Sequence, residues 1–201
     1  MHANNIGFCL VLAKRLIYCV AVTASLMGVW GGCSGGSTSD GDWRSAGGRR
    51  PGQVDLLPLE VSGLNALIAS HRGKIVVVDV WATYCQPCMR DFHQLVELSK
   101  RYSPSQVACI SLSLDNQGLR PLDQVVPQVL HFLNEQRATF DNVIMLEDSD
   151  QILRALRLSS VPAVLVYNKQ GRLLETVKPS NGQSPYTRVG QIVSGQIANS
   201  P

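Results

Sequence analysis

The run Lys74-Ile75-Val76-Val77-Val78-Asp79-Val80 constrains this chain more than any other segment. Its apolar residues are β-branched and nearly unbroken, with no alternation of polar and apolar positions. A strand of that kind has no face to give to water, so it belongs inside a sheet covered on both sides. The exception is Asp79, whose neighbours all read as buried. An ionised carboxylate is costly in such a run unless its pKa rises, the alternative being a strand-end residue that reaches solvent.

Around this strand the chain alternates between two periods. Leu56 to Val61 and Asn142 to Leu146 read as short strands, and Gln106 to Leu114 as a second central one. Helical spacing appears in Ser62 to Ser70, Cys88 to Tyr102, Asp123 to Gln136, Asp148 to Leu156 and Tyr186 to Ile197. Asp148 or Ser149 is placed to cap the fourth of these helices. Ala163 to Tyr167 and Arg172 to Val177 flank Asn168-Lys169-Gln170-Gly171, a hairpin turn with a late glycine. Alternating elements closed by a hairpin and a last helix predict an α/β fold, with a central mixed β-sheet flanked by helices.

Cys85-Gln86-Pro87-Cys88 follows the buried strand and opens a helix. A helix N-terminus presents unpaired N–H groups and a partial positive charge, which stabilise a thiolate and lower its pKa. The first cysteine is the more exposed and attacks. The second, one turn along, resolves the mixed disulfide, and the spacing allows the two sulfurs to bond. Pro87 stiffens the loop without needing a helical N–H partner. Two other readings of the pair exist. Half a zinc site would need further ligands, whereas Cys109 sits mid-strand and His71, His93 and His131 are scattered. A purely structural disulfide would close a tiny loop and stabilise little. Cys109, inside an apolar strand, reads as a small hydrophobe.

Charge excludes some functions. From Val54 onward basic and acidic residues balance at 13 each, so the domain lacks the basic footprint of a nucleic-acid binder. Six cysteines, unevenly placed, do not make a disulfide-stapled scaffold.

The N-terminus carries the remaining positive charge. Lys14 and Arg15 precede Leu16 to Trp30, which has no charged residue and is shorter than the ~20 residues a spanning helix needs. This is the secretory signal pattern. Gly31-Gly32-Cys33 follows and resembles the lipobox of bacterial lipoproteins, with Trp30 where that family prefers an aliphatic residue. The resemblance implies that Cys33 is lipidated and becomes the new N-terminus. A plain cleaved signal and an uncleaved anchor are the alternatives, and all three export the domain. Residues 33–53, rich in Gly, Ser and Arg, read as a flexible tether. The expected organisation is a lipoprotein-type signal over 1–32, a tether over 33–53 and one folded domain over 54–201.

The segment Val78-Asp79-Val80-Trp81-Ala82-Thr83-Tyr84-Cys85-Gln86-Pro87-Cys88 resembles the thioredoxin active site. Trp-Ala-Thr, an aromatic and the cysteine pair are most similar to the membrane-tethered TlpA/ResA-like thiol–disulfide oxidoreductases. Ser111-Leu112-Ser113-Leu114-Asp115 resembles that group's next strand end, and Val161-Pro162-Ala163 the loop with its cis-proline. The resemblance implies a thioredoxin-like fold with Cys85 as nucleophile and Cys88 as resolving thiol. It also implies Asp79 as the buried carboxylate beneath the disulfide, exchanging a proton with Cys88. Trp81, Tyr84, Val161 and Pro162 would be the substrate-binding residues, Val161 and Pro162 meeting an extended substrate and Trp81 and Tyr84 packing around the disulfide, where they also read as core aromatics. It implies no metal and no cofactor other than the Cys85–Cys88 disulfide. Partners would be protein thiols and disulfides of the envelope, with an upstream membrane electron donor, and the lipid anchor would hold the protein on the membrane. Cytochrome c maturation is one family use, and no residue identifies a client.

Three positions depart from the family. His93 stands where a helix-kinking proline is usual, which predicts a straighter active-site helix. Met89-Arg90-Asp91 replaces a basic–x–Glu pattern. Asp79 is more typical of thioredoxin itself, which points towards a reductant. Two other functions compete with reduction. A non-enzymatic adaptor with a static disulfide is disfavoured by the intact Cys85, Cys88, Asp79 and Pro162. A peroxiredoxin-type peroxidase is disfavoured because Ala82-Thr83-Tyr84 misplaces the threonine.

Overall fold

The computed structural model describes residues 52–199. The signal segment, Cys33 and the tether through residue 51 lie outside the described residues. The elements run β1 (Leu57–Leu59), α1 (Val61–Ser70), β2 (Ile75–Trp81), α2 (Gln86–Asp91), α3 (His93–Arg101), β3 (Val107–Ser113), α4 (Leu122–Gln136), β4 (Asp141–Met145), α5 (Ser149–Ala155), β5 (Ala163–Tyr167), β6 (Leu173–Val177) and α6 (Tyr186–Ala198). The strands form one sheet in the order β1-β4-β3-β2-β5-β6. β1, β4, β3 and β2 pair in parallel, while β5 and β6 run antiparallel. The sheet is therefore mixed, and β2 and β3, buried at every position, are its centre.

Side chains alternate across a strand, so β2 and β3 divide their residues between two cores. Val76, Val78, Val80, Ile110 and Leu112 face a wholly apolar layer with Leu64 and Ile68 of α1 and Ile152 of α5. Ile75, Val77, Trp81, Val107 and Cys109 face the other way, against residues of α2, α3, α4 and α6. This second core holds Phe92, Phe132, Tyr186, Val189 and Val193, together with Cys85 and Cys88. Asp79, two residues from Val77 and from Trp81, shares that face. At the far end of the same core, buried Asn142 donates to the carbonyls of Asp55, Ala138 and Phe140 and accepts from Ser111, which seats the chain entering β1.

The predicted elements are all present, with boundary shifts of a few residues. The largest difference lies in the helix expected over Cys88 to Tyr102. It begins earlier, at Gln86, and is divided at Phe92, whose own backbone keeps helical angles of φ −57° and ψ −33°. Two contacts account for the break. The Phe92 ring is fully buried, edge-on to Trp81 and Phe132, with centroids 5.0 and 5.1 Å away. The Nδ1 of His93 donates to the Arg90 carbonyl at 2.9 Å, giving that carbonyl a partner outside the helical ladder. Asp148 caps α5, accepting from the Asp150 N–H at 2.9 Å.

Candidate active site

β2 ends at Trp81, and the chain turns over Ala82 to Tyr84 before α2 begins. The turn is closed by the Cys85 N–H donating to the Ala82 carbonyl at 3.0 Å. A second tie comes from β3. Asp115, buried just beyond that strand, accepts the Thr83 N–H at 2.9 and 3.2 Å and a short hydrogen bond from the Thr83 hydroxyl. Ser113 donates to the same carboxylate at 2.7 Å. The loop that delivers the first cysteine is thus latched to the neighbouring strand by one carboxylate.

Cys85 and Cys88 are joined in a disulfide, with their Cα atoms 5.2 Å apart. Cys85 is the N-cap of α2, and its sulfur accepts from the Cys88 N–H at 3.3 Å. After reduction that donor favours the charged form of Cys85. Both are buried, Cys85 keeping 8% of its surface and Cys88 3%.

The Val161–Pro162 bond is cis. β5 pairs with β2 so that Ala163 lies opposite Val80. That register sets Pro162 beside the exit of β2, next to the cysteine loop. Val161 and Pro162 are both half-buried. Tyr84 is 50% exposed, its hydroxyl donating to the Leu114 carbonyl at 3.4 Å, and it presents an aromatic surface beside Cys85. Trp81, grouped with these as a substrate contact, has no accessible surface and packs on Phe92 and Phe132. Its placement is corrected to the core: an inward-facing position at the end of a central strand leaves the ring nothing to offer a substrate.

Asp79 is 4% exposed. Its Oδ2 accepts from the Tyr186 hydroxyl at 2.7 Å. Burial pushes the Asp79 carboxyl up from 3.8 to about 7, the Tyr186 hydrogen bond pulls it down, and the Asp91 charge adds to the rise. Cys109 lies on the same face, its thiol pushed up to about 12 by burial and by Asp79. Burial, with Asp79 beside it, holds Tyr186 well above the usual phenol range. Near neutral pH, Asp79 is the group in this cluster poised to gain or lose a proton. Among the described residues no hydrogen bond joins Asp79 to either disulfide cysteine, so exchange with Cys88 needs a water or a small movement. Also among the described residues, no cluster of three or more His, Cys, Asp or Glu side chains is arranged to hold a metal ion.

Tyr186 and the Thr83–Asp115–Ser113 latch are the site residues that sequence reasoning missed. Tyr186 counted there only as one apolar position of the last helix. Asp115 carried a visible signal, a carboxylate directly after an apolar strand, which was read only as part of a resemblance.

Residues 73–173 match the family model described as Thioredoxin-like. The chain is 24% identical over 123 residues to the thiol-disulfide oxidoreductase ResA of Geobacillus kaustophilus, covering 61% of this chain and 65% of that protein. It is 20% identical over 118 residues to ResA of Bacillus subtilis, covering 59% and 60%. The match thus spans less than two thirds of these curated relatives. In fold, it is similar to a thiol-disulfide isomerase from Corynebacterium glutamicum, with TM-score 0.54 at 21% identity over 73% of this chain and 96% of that one. A thioredoxin-like superfamily protein, SPOA0173, superposes with TM-score 0.53 at 19% identity over 66% and 86%. With a six-stranded mixed sheet, a disulfide opening α2 and a cis-proline leading into β5, the chain belongs to the thioredoxin-like family.

Proposed function

We propose that this protein is a cell-envelope thiol–disulfide oxidoreductase that exchanges disulfides with protein substrates and acts as a reductant. The observation that carries the reading is the Cys85–Cys88 disulfide at the head of α2, on the sheet face that buries Asp79. The activity named for the ResA relatives supports it.

In the reduced protein the Cys85 thiolate attacks a client disulfide. One client sulfur bonds to Cys85 and the other leaves as a thiolate. Cys88 then attacks the Cys85 sulfur: the Cys85–Cys88 bond forms, the bond to the client breaks, and the second client sulfur leaves. Asp79 takes the proton that Cys88 gives up, and the client thiolates are protonated from solvent or from Asp79. Two electrons pass from the pair to the client. A membrane-borne dithiol donor upstream restores the reduced pair. The client chain lies extended along Val161 and Pro162, with Tyr84 at its side. No cofactor beyond the disulfide is needed.

Cys88→Ser should trap a client through Cys85, because the attacking thiol survives and the resolving one is gone. Cys85→Ser should trap nothing. An adduct mapped to Cys109, or a Cys88→Ser protein that captures no disulfide substrate, would overturn the reading. Export with a lipid at Cys33 belongs to the same proposal. Cys33→Ala should abolish acyl labelling and leave the domain released or misprocessed; unchanged processing would favour a plain signal or an uncleaved anchor.

A further inference from the structure

Tyr186 takes no part in the sulfur chemistry, yet its hydroxyl reaches the most consequential carboxylate in the core. It is the first residue of α6, and Val189 and Val193 of that helix pack into the same core. The ring is buried, and the hydroxyl donates to Asp79 Oδ2 at 2.7 Å, across a sequence separation of 107. The hydrogen bond engages Oδ2 and so holds one of the two carboxylate oxygens. The ionisable groups acting on this site come from α2, β3 and α6. Asp91 stands on α2 and Cys109 on β3, and both raise the proton affinity of their neighbours or have it raised by Asp79. Cys85 and Cys88 close the face from α2. Val164 of β5, abreast of Asp79, brings no charge. Among these influences the Tyr186 hydrogen bond alone favours the ionised carboxylate, since it donates to the charged form.

We propose that Tyr186 is a positioning residue of the redox site: its hydroxyl fixes the Asp79 carboxylate and sets the pH at which that carboxylate can take the Cys88 proton. This rests on Asp79 being the proton acceptor in the function proposed above. Burial without that hydrogen bond would hold the Asp79 carboxyl higher still, leaving less of it ionised to act as a base near neutral pH. One donated hydrogen bond returns it towards neutrality without supplying so many donors that the carboxylate would never accept a proton.

The test is a pair of pH titrations on the full-length protein carrying Tyr186→Phe, which removes one oxygen and keeps the ring. In the oxidised state neither Cys85 nor Cys88 titrates, so carbon NMR of the Asp79 carboxyl reads that group directly. Its midpoint should move up by about one pH unit or more. The rate at which the reduced protein resolves a mixed disulfide should show its Asp79-dependent limb displaced in the same direction. Both readouts are midpoints, so a smaller folded fraction in the variant lowers the signal without moving them. With Asp79→Asn in the background, Tyr186→Phe should have no further effect on the rate profile. The proposal is overturned if Asp79→Asn slows the reaction but Tyr186→Phe leaves both midpoints in place, lowering the rate equally at every pH. If Asp79→Asn itself reacts like the parent from pH 6 to 9, the acceptor role of Asp79 is what fails, and the role of Tyr186 in the reaction falls with it.

Discussion

Two carboxylates are buried at the disulfide end of the molecule, and the protein treats them in opposite ways. Asp115 is surrounded by donors: the Thr83 N–H and hydroxyl and the Ser113 hydroxyl all point at it. Among the described residues, the side-chain donor to Asp79 is Tyr186. A carboxylate with several donors is an anchor, because each donor it accepts ties another stretch of chain to it. One with a single donor in an apolar layer stays close to neutralisation and can trade its proton with a neighbour. The two differ less in burial than in how many hydrogens face them.

The most severe way to test this contrast is to remove the anchor. Asp115→Ala leaves the Ser113 hydroxyl and the Thr83 N–H without their acceptor, and should cost about 2–4 kcal/mol in urea unfolding. The cysteine loop should also lose protection from amide exchange at Thr83. If Asp115→Ala unfolds like the parent, the latch contributes nothing and the contrast collapses.

Asp79→Asn should act in the other direction. The folded pKa of Asp79, about 7, lies above the 3.8 of the exposed group. Folding is therefore favoured by this group below 3.8, where both states are protonated. That contribution is lost as the pH climbs towards 7, where the folded state must give up a proton it holds tightly. The amide has no such loss. The variant should match the parent near pH 4 and gain on the order of 4 kcal/mol at pH 8. Turnover should nevertheless be slower by tenfold or so near neutral pH and converge with the parent at high pH, where Cys88 ionises unaided. A sharp loss of stability at pH 8 would instead make Asp79 a second anchor, held by Tyr186 as Asp115 is held by Thr83.

The smallest effect belongs to Cys109, which shares the buried layer with Asp79. Its thiol, pushed up to about 12, stays protonated at neutral pH. Cys109→Ala should leave disulfide reduction within about twofold and cost on the order of 1 kcal/mol through the vacated volume. A larger loss of activity would place a third sulfur in the proton exchange and enlarge the region around Asp79.

The sequence by itself determined the parts of this protein that are local. An unbroken β-branched run can only be a central strand, and Cys85-Gln86-Pro87-Cys88 after it brings both sulfurs to one helix start, because its whole geometry lies within four residues. The hairpin of β5 and β6 was legible for the same reason: its turn sits between two short apolar runs. The burial of Asp79 was also readable, since every neighbour in its strand is apolar. Only the tertiary structure decided what meets that carboxylate. Tyr186 arrives from the last helix, and nothing near either residue marks the encounter; a tyrosine at an apolar helical position looks like packing until its hydroxyl is seen to need a partner. Trp81 passed from substrate contact to core for a related reason. Strand periodicity tells which side of the sheet a ring lies on, but Phe92 and Phe132 decide whether water or a client can reach it. The break at Phe92 likewise depends on buried aromatics from α4 and on a histidine turned back to its own helix. Contacts between distant segments are set by how the layers close over the sheet, and that closure has no short-range signature.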